Sequence, residues 1–330
     1  MEFRDLKTQY QKLKPDIDTK IQEVLTNANF ISGRQVTELE EQLAAYVGVH
    51  SCETCGNGTD ALSLVLMAWN IGPGDVCFVP DFTFFASGEV VSAIGATPVF
   101  VDVDEATFNM DPQKLEEAIV RTKQDGKLEP KVIIAVDLFG LPANYPEIRK
   151  IADQYDLKIL EDAAQGFGGM IGNQRAGSFG DAATTSFFPA KPLGCYGDGG
   201  AIFTDDKALA ERINSYKIHG KGTFKYDNVR IGMNSRLDTI QAAILQVKLK
   251  AFIDYELDAV NQVARWYNEA LKDTAIKTPQ IPEGYLSSWA QYSILLPEGT
   301  DRDQLQEALK AQGIPTMVYY PKPMHKQTAF

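Results

Sequence analysis

Short apolar segments alternate with helical segments through the first two thirds of the chain, and this alternation constrains the fold most strongly. Six apolar segments predict strands, at residues 76–80, 98–102, 132–137, 158–162, 183–187 and 201–204. Strands that are buried on both faces read as continuous apolar runs, and intervening helices permit parallel crossovers. We therefore predict an α/β protein with a mostly parallel sheet that is covered on both faces.

Amphipathic patterns predict helices before and between these strands. One helix is expected to begin near Pro15, with Ile17, Ile21 and Val24 on one face. Others are expected at residues 36–47, 59–70, 111–120 and 145–154. Gly48 directly follows the second of these, where the left-handed conformation at a helix end favours glycine.

The pattern changes after about residue 235. A long helical segment at 237–273 is followed by an expected strand at 289–296, a helix at 301–312 and a strand at 314–320. We therefore expect a large domain at residues 1–245 and a smaller α+β domain at residues 246–330.

The charge balance limits the classes of partner. The chain has 32 Lys and Arg against 44 Asp and Glu, a net charge of −12, with no basic cluster. Nucleic acids and anionic membranes bind clustered cations, so neither is an expected partner. The sequence lacks both an apolar run of the ~18 residues that span a bilayer and an apolar N-terminal signal segment. We expect a cytoplasmic protein.

Cys52 and Cys55 form a CxxC motif, which also occurs in redox pairs and as half of a zinc site. The other half of such a site is absent, because Cys77 and Cys195 stand alone and the three histidines form no ligand pair. We therefore predict no metal site and interpret Cys52 and Cys55 as small residues that end a helix and start a buried strand.

Asp162 ends the expected strand at 158–162, at the carboxyl edge where α/β sheets bind ligands. Its carboxylate is suited to pairing with a buried cationic nitrogen. The alternative is a structural acid that caps the next turn. The residues around Asp162 leave both interpretations open.

Lys191 lies between Ala190 and Pro192 in a glycine-rich loop that follows the strand at 183–187. An apolar environment lowers the proton affinity of a lysine, which makes its amine a nucleophile for a carbonyl group. The alternative is a surface lysine in a turn. The following segment, GDGGAIFT, predicts a well-determined turn into a strand and so favours the first interpretation.

Gly58 and Thr59 open the expected helix at 59–70, so their backbone N–H groups are candidates for binding a phosphate. In the alternative, Asp60 is only a first-turn acid. A phosphate-binding helix end, a nucleophilic lysine and an acid for a ring nitrogen together match pyridoxal 5'-phosphate, PLP.

Six motifs occur in order along the chain: NGTDAL, PDFTFFAS, EDAAQGFG, SFFPAKPLG, GDGGAIFT and NSRLDTIQAAIL. Together they resemble the DegT/DnrJ/EryC1/StrS family of PLP-dependent sugar-nucleotide aminotransferases. The resemblance extends from FRDLKTQY to VYYPKP and is strongest to enzymes that aminate C3 of a UDP-linked 2-acetamido-3-keto-hexuronic acid. Similar sequences continue beyond the last residue here, so a truncated small domain is expected.

The resemblance implies the aspartate aminotransferase-like fold, known as fold type I. It also implies a homodimer with shared active sites, and L-glutamate as the amino donor. The product would be an amino sugar for surface polysaccharide or lipopolysaccharide synthesis.

The resemblance assigns residues around the cofactor ring. Lys191 would form the Schiff base and later move the proton, Asp162 would pair with the ring nitrogen, and Gln165 would contact the ring hydroxyl. Phe84 would stack on the ring, where many relatives carry Trp or Tyr.

It also assigns the residues at the cofactor phosphate. Gly58, Thr59 and Ser186 would bind the phosphate together with Asn234 from the second subunit.

Three residues are expected at the substrate. Tyr319 and Tyr320 would lie beside the sugar, and Tyr319 replaces a histidine of the most similar relatives. Arg236 would bind a carboxylate of glutamate or of a uronic acid, because its planar fork matches that group. The alternative is an ion pair of Arg236 with Asp238 or Asp60.

The sequence is also compatible with three other functions. One alternative is amination at C4 of a 4-keto-6-deoxy nucleotide-sugar. Another is a PLP-dependent sugar dehydratase, but relatives that dehydrate carry histidine in place of Lys191. A third is a non-catalytic partner or regulator that retains the site.

Overall fold

The computed structural model describes residues 2–224 and 226–330. The helices of these residues are α1 (Leu6–Asn27), α2 (Arg34–Val47), α3 (Gly58–Ala68), α4 (Ala86–Ala93), α5 (Pro112–Asp125), α6 (Tyr145–Tyr155), α7 (Lys207–Tyr216), α8 (Thr239–Ala251), α9 (Leu257–Leu271) and α10 (Arg302–Ala311). The strands are β1 (Ser51–Cys55), β2 (Asp75–Pro80), β3 (Thr97–Val101), β4 (Glu129–Val136), β5 (Lys158–Asp162), β6 (Met170–Ile171), β7 (Gln174–Arg175), β8 (Ala182–Ser186), β9 (Gly200–Thr204) and β10 (Tyr285–Leu286).

A seven-stranded sheet with the order β1-β9-β8-β5-β4-β2-β3 forms the centre of the molecule. Only β9 runs antiparallel to its neighbours in this sheet; the other adjacent pairs are parallel. All six predicted strands are present, and the prediction of a mostly parallel sheet is confirmed.

Two hydrophobic cores, one on each face of the sheet, explain why the strands are apolar along their length. In β4, Ile133 packs with helices α5 and α6, whereas the next residue, Ile134, packs with α3, α4 and α7. Ile159 and Leu160 of β5 divide between the same two cores. Because successive side chains point to opposite faces, a strand covered on both faces has no polar positions.

The first helix begins earlier than predicted. α1 starts at Leu6, where the Asp5 side chain caps it by accepting the Thr8 N–H at 2.9 Å. Pro15, the expected start, lies inside the helix. Proline has no N–H, so Pro15 leaves the carbonyl of Gln11 without its helical partner. Both residues are exposed, and water can therefore bind that carbonyl.

The C-terminal region has fewer strands than predicted. The helical prediction at 237–273 is confirmed as α8, a π-helical turn and α9. The strands expected at 289–296 and 314–320 are wrong: the first makes a single bridge, Lys277 to Leu295, and the second pairs with no other described segment. A strand needs a neighbouring strand for its backbone hydrogen bonds, and the alternation of apolar and polar residues within one segment does not supply a neighbour. The boundary expected at residue 245 falls within α8 and stays a prediction.

The cysteines are structural in the described residues. Cys52 and Cys55 lie in β1, as the structural interpretation expects, and both are buried. Burial raises the pKa of Cys55 and of Cys77 to about 12, so these thiols stay protonated. The part of the chain that the structure describes contains no His, Cys, Asp and Glu cluster able to hold a metal ion.

No helix among the described residues is long and apolar enough to cross a membrane.

A buried ion network joins α2, β1 and the end of α7. The Lys217 ammonium donates to Glu53 at 2.6 Å, to the Thr54 carbonyl at 3.0 Å and to Glu40 at 3.4 Å. Glu40 also accepts the N–H and hydroxyl of Thr54, at 2.8 and 2.7 Å. This network therefore holds the segment after α7 against β1, the strand that leads into α3.

Lys217→Met is expected to lower the free energy of unfolding by roughly 2–4 kcal/mol, because it removes the buried cation from two half-buried carboxylates. Denaturant unfolding measures the change. Lys114→Met is the control, since Lys114 pairs with Glu117 at the surface and is expected to cost less than about 1 kcal/mol. Equal losses for the two variants would contradict this role of Lys217.

Candidate active site

The carboxyl ends of β5 and β8 lie side by side and bring the predicted residues to one edge of the sheet. Asp162 is opposite Thr184 in the parallel pairing of the two strands. Ser186 ends β8 opposite Gly200, and the loop between them carries Lys191. A side-chain Cβ at Gly200 would lie 2.5 Å from the Asn57 carbonyl oxygen, so the start of α3 approaches the same edge closely.

Asp162 is 5% exposed and has few partners for a carboxylate. Its Oδ2 accepts the Ser87 hydroxyl at 2.8 Å, and its Oδ1 accepts the Ala164 N–H at 3.2 Å. The second contact is the turn cap of the alternative interpretation, so the structure contains this cap as well. Burial raises the pKa of Asp162, and the hydrogen bonds and the charge of Lys191 oppose that rise. A cation next to this carboxylate would stabilise its ionised form.

Lys191 is half-buried on a tight turn, whose backbone N–H at Lys191 donates to the Phe188 carbonyl at 2.9 Å. Burial lowers the pKa of the Lys191 amine, and Asp162 opposes this change. Among the described residues its ammonium makes no hydrogen bond or ion pair within 4.0 Å. An amine that is partly desolvated and unpaired is suited to attack a carbonyl group.

Gln165 has one hydrogen bond at each end of its amide. Its Oε1 accepts the Phe139 N–H at 2.7 Å, and its Nε2 donates to the Tyr320 hydroxyl at 3.1 Å. Tyr319 packs against Phe139, with ring centroids 6.1 Å apart. Burial raises the pKa of Tyr320 to about 12. The Tyr319–Tyr320 segment therefore contacts the same edge of the sheet as Gln165.

The N-terminus of α3 forms a cradle of backbone N–H groups that is suited to an anion. Asn57 caps the helix by accepting the Asp60 N–H at 2.8 Å, and the N–H groups of Gly58 and Thr59 have no acceptor in the described part of the protein. A side-chain Cβ at Gly58 would lie 2.8 Å from the Cβ of Ser186. Glycine therefore allows the helix end to approach the Ser186 hydroxyl.

Three predicted site residues, Phe84, Asn234 and Arg236, take no part in the contacts described above. Phe84 is 56% exposed, and Asn234 is exposed on the loop before α8. Arg236 is half-buried and forms no ion pair with Asp238 or Asp60 in the described residues, so the structure does not support that alternative.

A buried acid pair behind Asp162 was missed in the sequence. Glu161 accepts backbone N–H groups of Gly177, Phe179 and Gly180, the latter two at 2.7 and 3.3 Å. Asp137 accepts the Tyr145 hydroxyl at 2.8 Å. Burial raises the pKa of Glu161 to about 7. Glu161 therefore orders the turn at residues 177–180, which leads into β8.

Ser87 was also missed, although it ends the PDFTFFAS motif. Its hydroxyl lies between Asp162 and the Thr83 hydroxyl, 3.2 Å away. Ser87 therefore orients the carboxylate of Asp162.

These features fit PLP. The buried Asp162 carboxylate matches a protonated ring nitrogen, the unpaired Lys191 amine matches the aldehyde, and the free N–H groups of Gly58 and Thr59 match the phosphate.

Comparison with known proteins agrees with this geometry. Residues 11–330 match the DegT/DnrJ/EryC1/StrS aminotransferase family. The chain is 47% identical to a UDP-2-acetamido-2-deoxy-3-oxo-D-glucuronate aminotransferase of Pseudomonas aeruginosa, covering 100% of this chain and 88% of the relative. It is 41% identical to a UDP-N-acetyl-3-dehydro-alpha-D-glucosamine 3-aminotransferase of Acidithiobacillus ferrooxidans, with 99% and 85% covered.

Solved structures agree as well. A DegT/DnrJ/EryC1/StrS aminotransferase from Brucella abortus superposes with a TM-score of 0.97 at 52% identity, covering 100% of this chain and 87% of the other. NtdA from Bacillus subtilis, solved with the cofactor PMP bound, gives a TM-score of 0.86 at 32% identity, with 96% and 71% covered.

The chain belongs to the DegT/DnrJ/EryC1/StrS aminotransferase family. The predictions of fold type I, of an aminotransferase and of PLP as cofactor are confirmed. The roles of individual site residues stay predictions.

Lys191→Ala is expected to fold but to hold no PLP that borohydride can fix covalently, because it removes the only amine assigned to the cofactor. Peptide mass spectrometry of the reduced wild-type protein locates the modified lysine. Lys207→Ala, at the start of α7, is the control and is expected to be labelled like the wild type. PLP found on any other lysine of the wild type would overturn the assignment.

Proposed function

We propose that this aminotransferase aminates a keto nucleotide-sugar, namely a UDP-linked 2-acetamido-3-keto-hexuronic acid, with L-glutamate as donor. The observation that carries the proposal is a half-buried Arg236 that has no carboxylate partner among the described residues, in a chain 47% identical to a 3-oxo-glucuronate aminotransferase. The product would be an amino sugar for surface polysaccharide synthesis.

The proposed roles follow from the contacts around the sheet edge. PLP, when bound, supplies a ring that accepts electrons and a carbonyl group at which amino groups exchange. Asp162, oriented by Ser87, keeps the ring nitrogen protonated. Lys191 holds the cofactor covalently and, once released, takes the proton from the carbon that bears the amino group.

The remaining residues bind and orient. The N–H groups of Gly58 and Thr59 and the Ser186 hydroxyl bind the phosphate. The side-chain amide of Gln165 donates one N–H to Tyr320, and its second N–H would donate to the ring hydroxyl of the cofactor. Phe84 stacks on the ring face.

A homodimer with shared sites explains the exposed residues near α8. Phe30 and Ile31, 46% and 42% exposed, contact the start of α8, since the Phe30 carbonyl accepts the Thr239 N–H at 2.9 Å. Ile231, 91% exposed, lies on the loop of Asn234. A second copy that covers these apolar side chains would bring Asn234 to the partner's phosphate.

A panel of keto-sugar nucleotides tests the substrate proposal. The 3-keto uronate is expected to be aminated with the highest kcat/KM when glutamate is the donor. The 3-keto sugar without the carboxylate is the matched comparison, and a 4-keto-6-deoxy sugar tests the other carbon. Preference for the 4-keto sugar would contradict the proposal, and a cofactor spectrum unchanged by glutamate would contradict glutamate as the donor.

Arg236→Lys is expected to raise the activation barrier by roughly 2–4 kcal/mol in one half-reaction, namely the one whose substrate carboxylate Arg236 binds. The reason is that lysine lacks the bidentate fork of arginine. Stopped-flow spectra measure the glutamate and sugar half-reactions separately. Arg230→Lys is the control: Arg230 is exposed and donates to the Ser215 hydroxyl at 3.0 Å, so both half-reactions are expected to keep wild-type rates. Near-wild-type rates for Arg236→Lys in both halves would contradict a carboxylate-binding role.

A further inference from the structure

The residue after Asn234 is bound to the phosphate cradle of its own chain. Ser235 is 1% exposed, and its hydroxyl donates to Asp60 Oδ2 at 2.6 Å while accepting the Gly56 N–H at 2.9 Å. Asp60 lies in the first turn of α3, directly after the unpaired N–H groups of Gly58 and Thr59. One buried hydroxyl therefore connects the Asn234 loop to the helix end that binds the phosphate.

A second contact fixes the base of the same loop. The Ser235 N–H donates to the Lys217 carbonyl at 3.0 Å, and the Lys217 ammonium donates to the Thr54 carbonyl at 3.0 Å. Ile218 and Asn234 form a bridge beside it. The loop is thus held at two points on the segment that runs from β1 into α3.

Adjacent residues of this loop lie in opposite environments. Ser235 is buried against the cradle of its own chain, whereas Asn234 is exposed. A short, hydrogen-bonded connection therefore links the first turn of α3 to Asn234.

We propose that Ser235 and Asp60 are positioning residues that couple the two cofactor sites of the dimer. The inference rests on the proposed shared site, in which Asn234 binds the partner's cofactor phosphate. Phosphate binding at one cradle orders the turn that holds Ser235, which fixes Asn234 for the other site. Because coupling between binding sites is reciprocal, PLP at either site raises the affinity of its partner.

Mixed dimers separate the two sites. One chain carries a purification tag and Lys191→Ala; the other is untagged and keeps Lys191, so borohydride marks a single site. That site combines the lysine and cradle of the untagged chain with Asn234 of the tagged chain. Further substitutions are made in the tagged chain only, and the concentration of PLP needed to label the marked site is measured.

Ser235→Ala and Asp60→Ala in the tagged chain are each expected to raise the apparent Kd for PLP at the marked site about 5- to 10-fold. Asp60→Asn keeps an oxygen acceptor for the Ser235 hydroxyl and is expected to change the Kd less than about twofold. Ser215→Ala is the control, because its hydroxyl donates to the Lys221 carbonyl at 2.7 Å on the exposed side of the loop; no change is expected.

A purely structural role of Ser235 in its own cradle would not affect the marked site. If Asn234→Ala in the tagged chain weakens that site but Ser235→Ala does not, the shared site stands and the coupling is wrong. If Asn234→Ala also has no effect, the shared site itself is wrong and the coupling fails with it. Size-exclusion chromatography measures dimer yield for every pair, and Ser235→Ala decides the result where Asp60→Ala lowers that yield.

Discussion

A carboxylate buried at the end of β5 is the constraint around which the active site is arranged. Asp162 has two hydrogen bonds among the described residues, and burial raises its pKa, so a neighbouring cation would stabilise its ionised form. The adjacent Glu161 orders the turn that leads into β8, and Asp137 accepts the Tyr145 hydroxyl. The rest of the edge presents complementary groups: the Lys191 amine and the N–H groups at the start of α3, all without a partner in the described part of the chain.

The fold supplies this arrangement because parallel strands end at a common edge. Asp162 and Ser186 belong to neighbouring strands, and the reversal into β9 holds the Lys191 loop beside them. The close approach of α3 requires glycine at positions 58 and 200. Binding of an anion and of a cationic ring therefore follows from strand order and close packing.

Strands and the local positions of several site residues were predictable from the sequence, because both depend on neighbouring residues. Apolar runs identified the six strands, and Asp162, Lys191 and Gly58 were identified by their position after a strand or before a helix. The two C-terminal strands were wrong because a strand also needs a partner, which alternation within one segment does not reveal. Pro15 misplaced the start of α1 because the cap at Asp5 outweighs it.

Contacts between distant residues were not predictable. Ser235 and Asp60 are 175 positions apart, and Tyr320 and Gln165 are 155 apart. Nothing in either local segment indicates the other, so the Ser235 connection and the contact of the Tyr319–Tyr320 segment with Gln165 emerge only from the folded chain.

The protonation state of the cofactor ring nitrogen tests the central claim that the Asp162 carboxylate pairs with a cation. Nitrogen-15 NMR of PLP labelled at the ring nitrogen and bound to the wild-type protein measures this state directly. The signal is expected at the position of a protonated pyridine in the wild type, and at the unprotonated position in Asp162→Ala. An unprotonated ring nitrogen in the wild type near neutral pH would contradict the account.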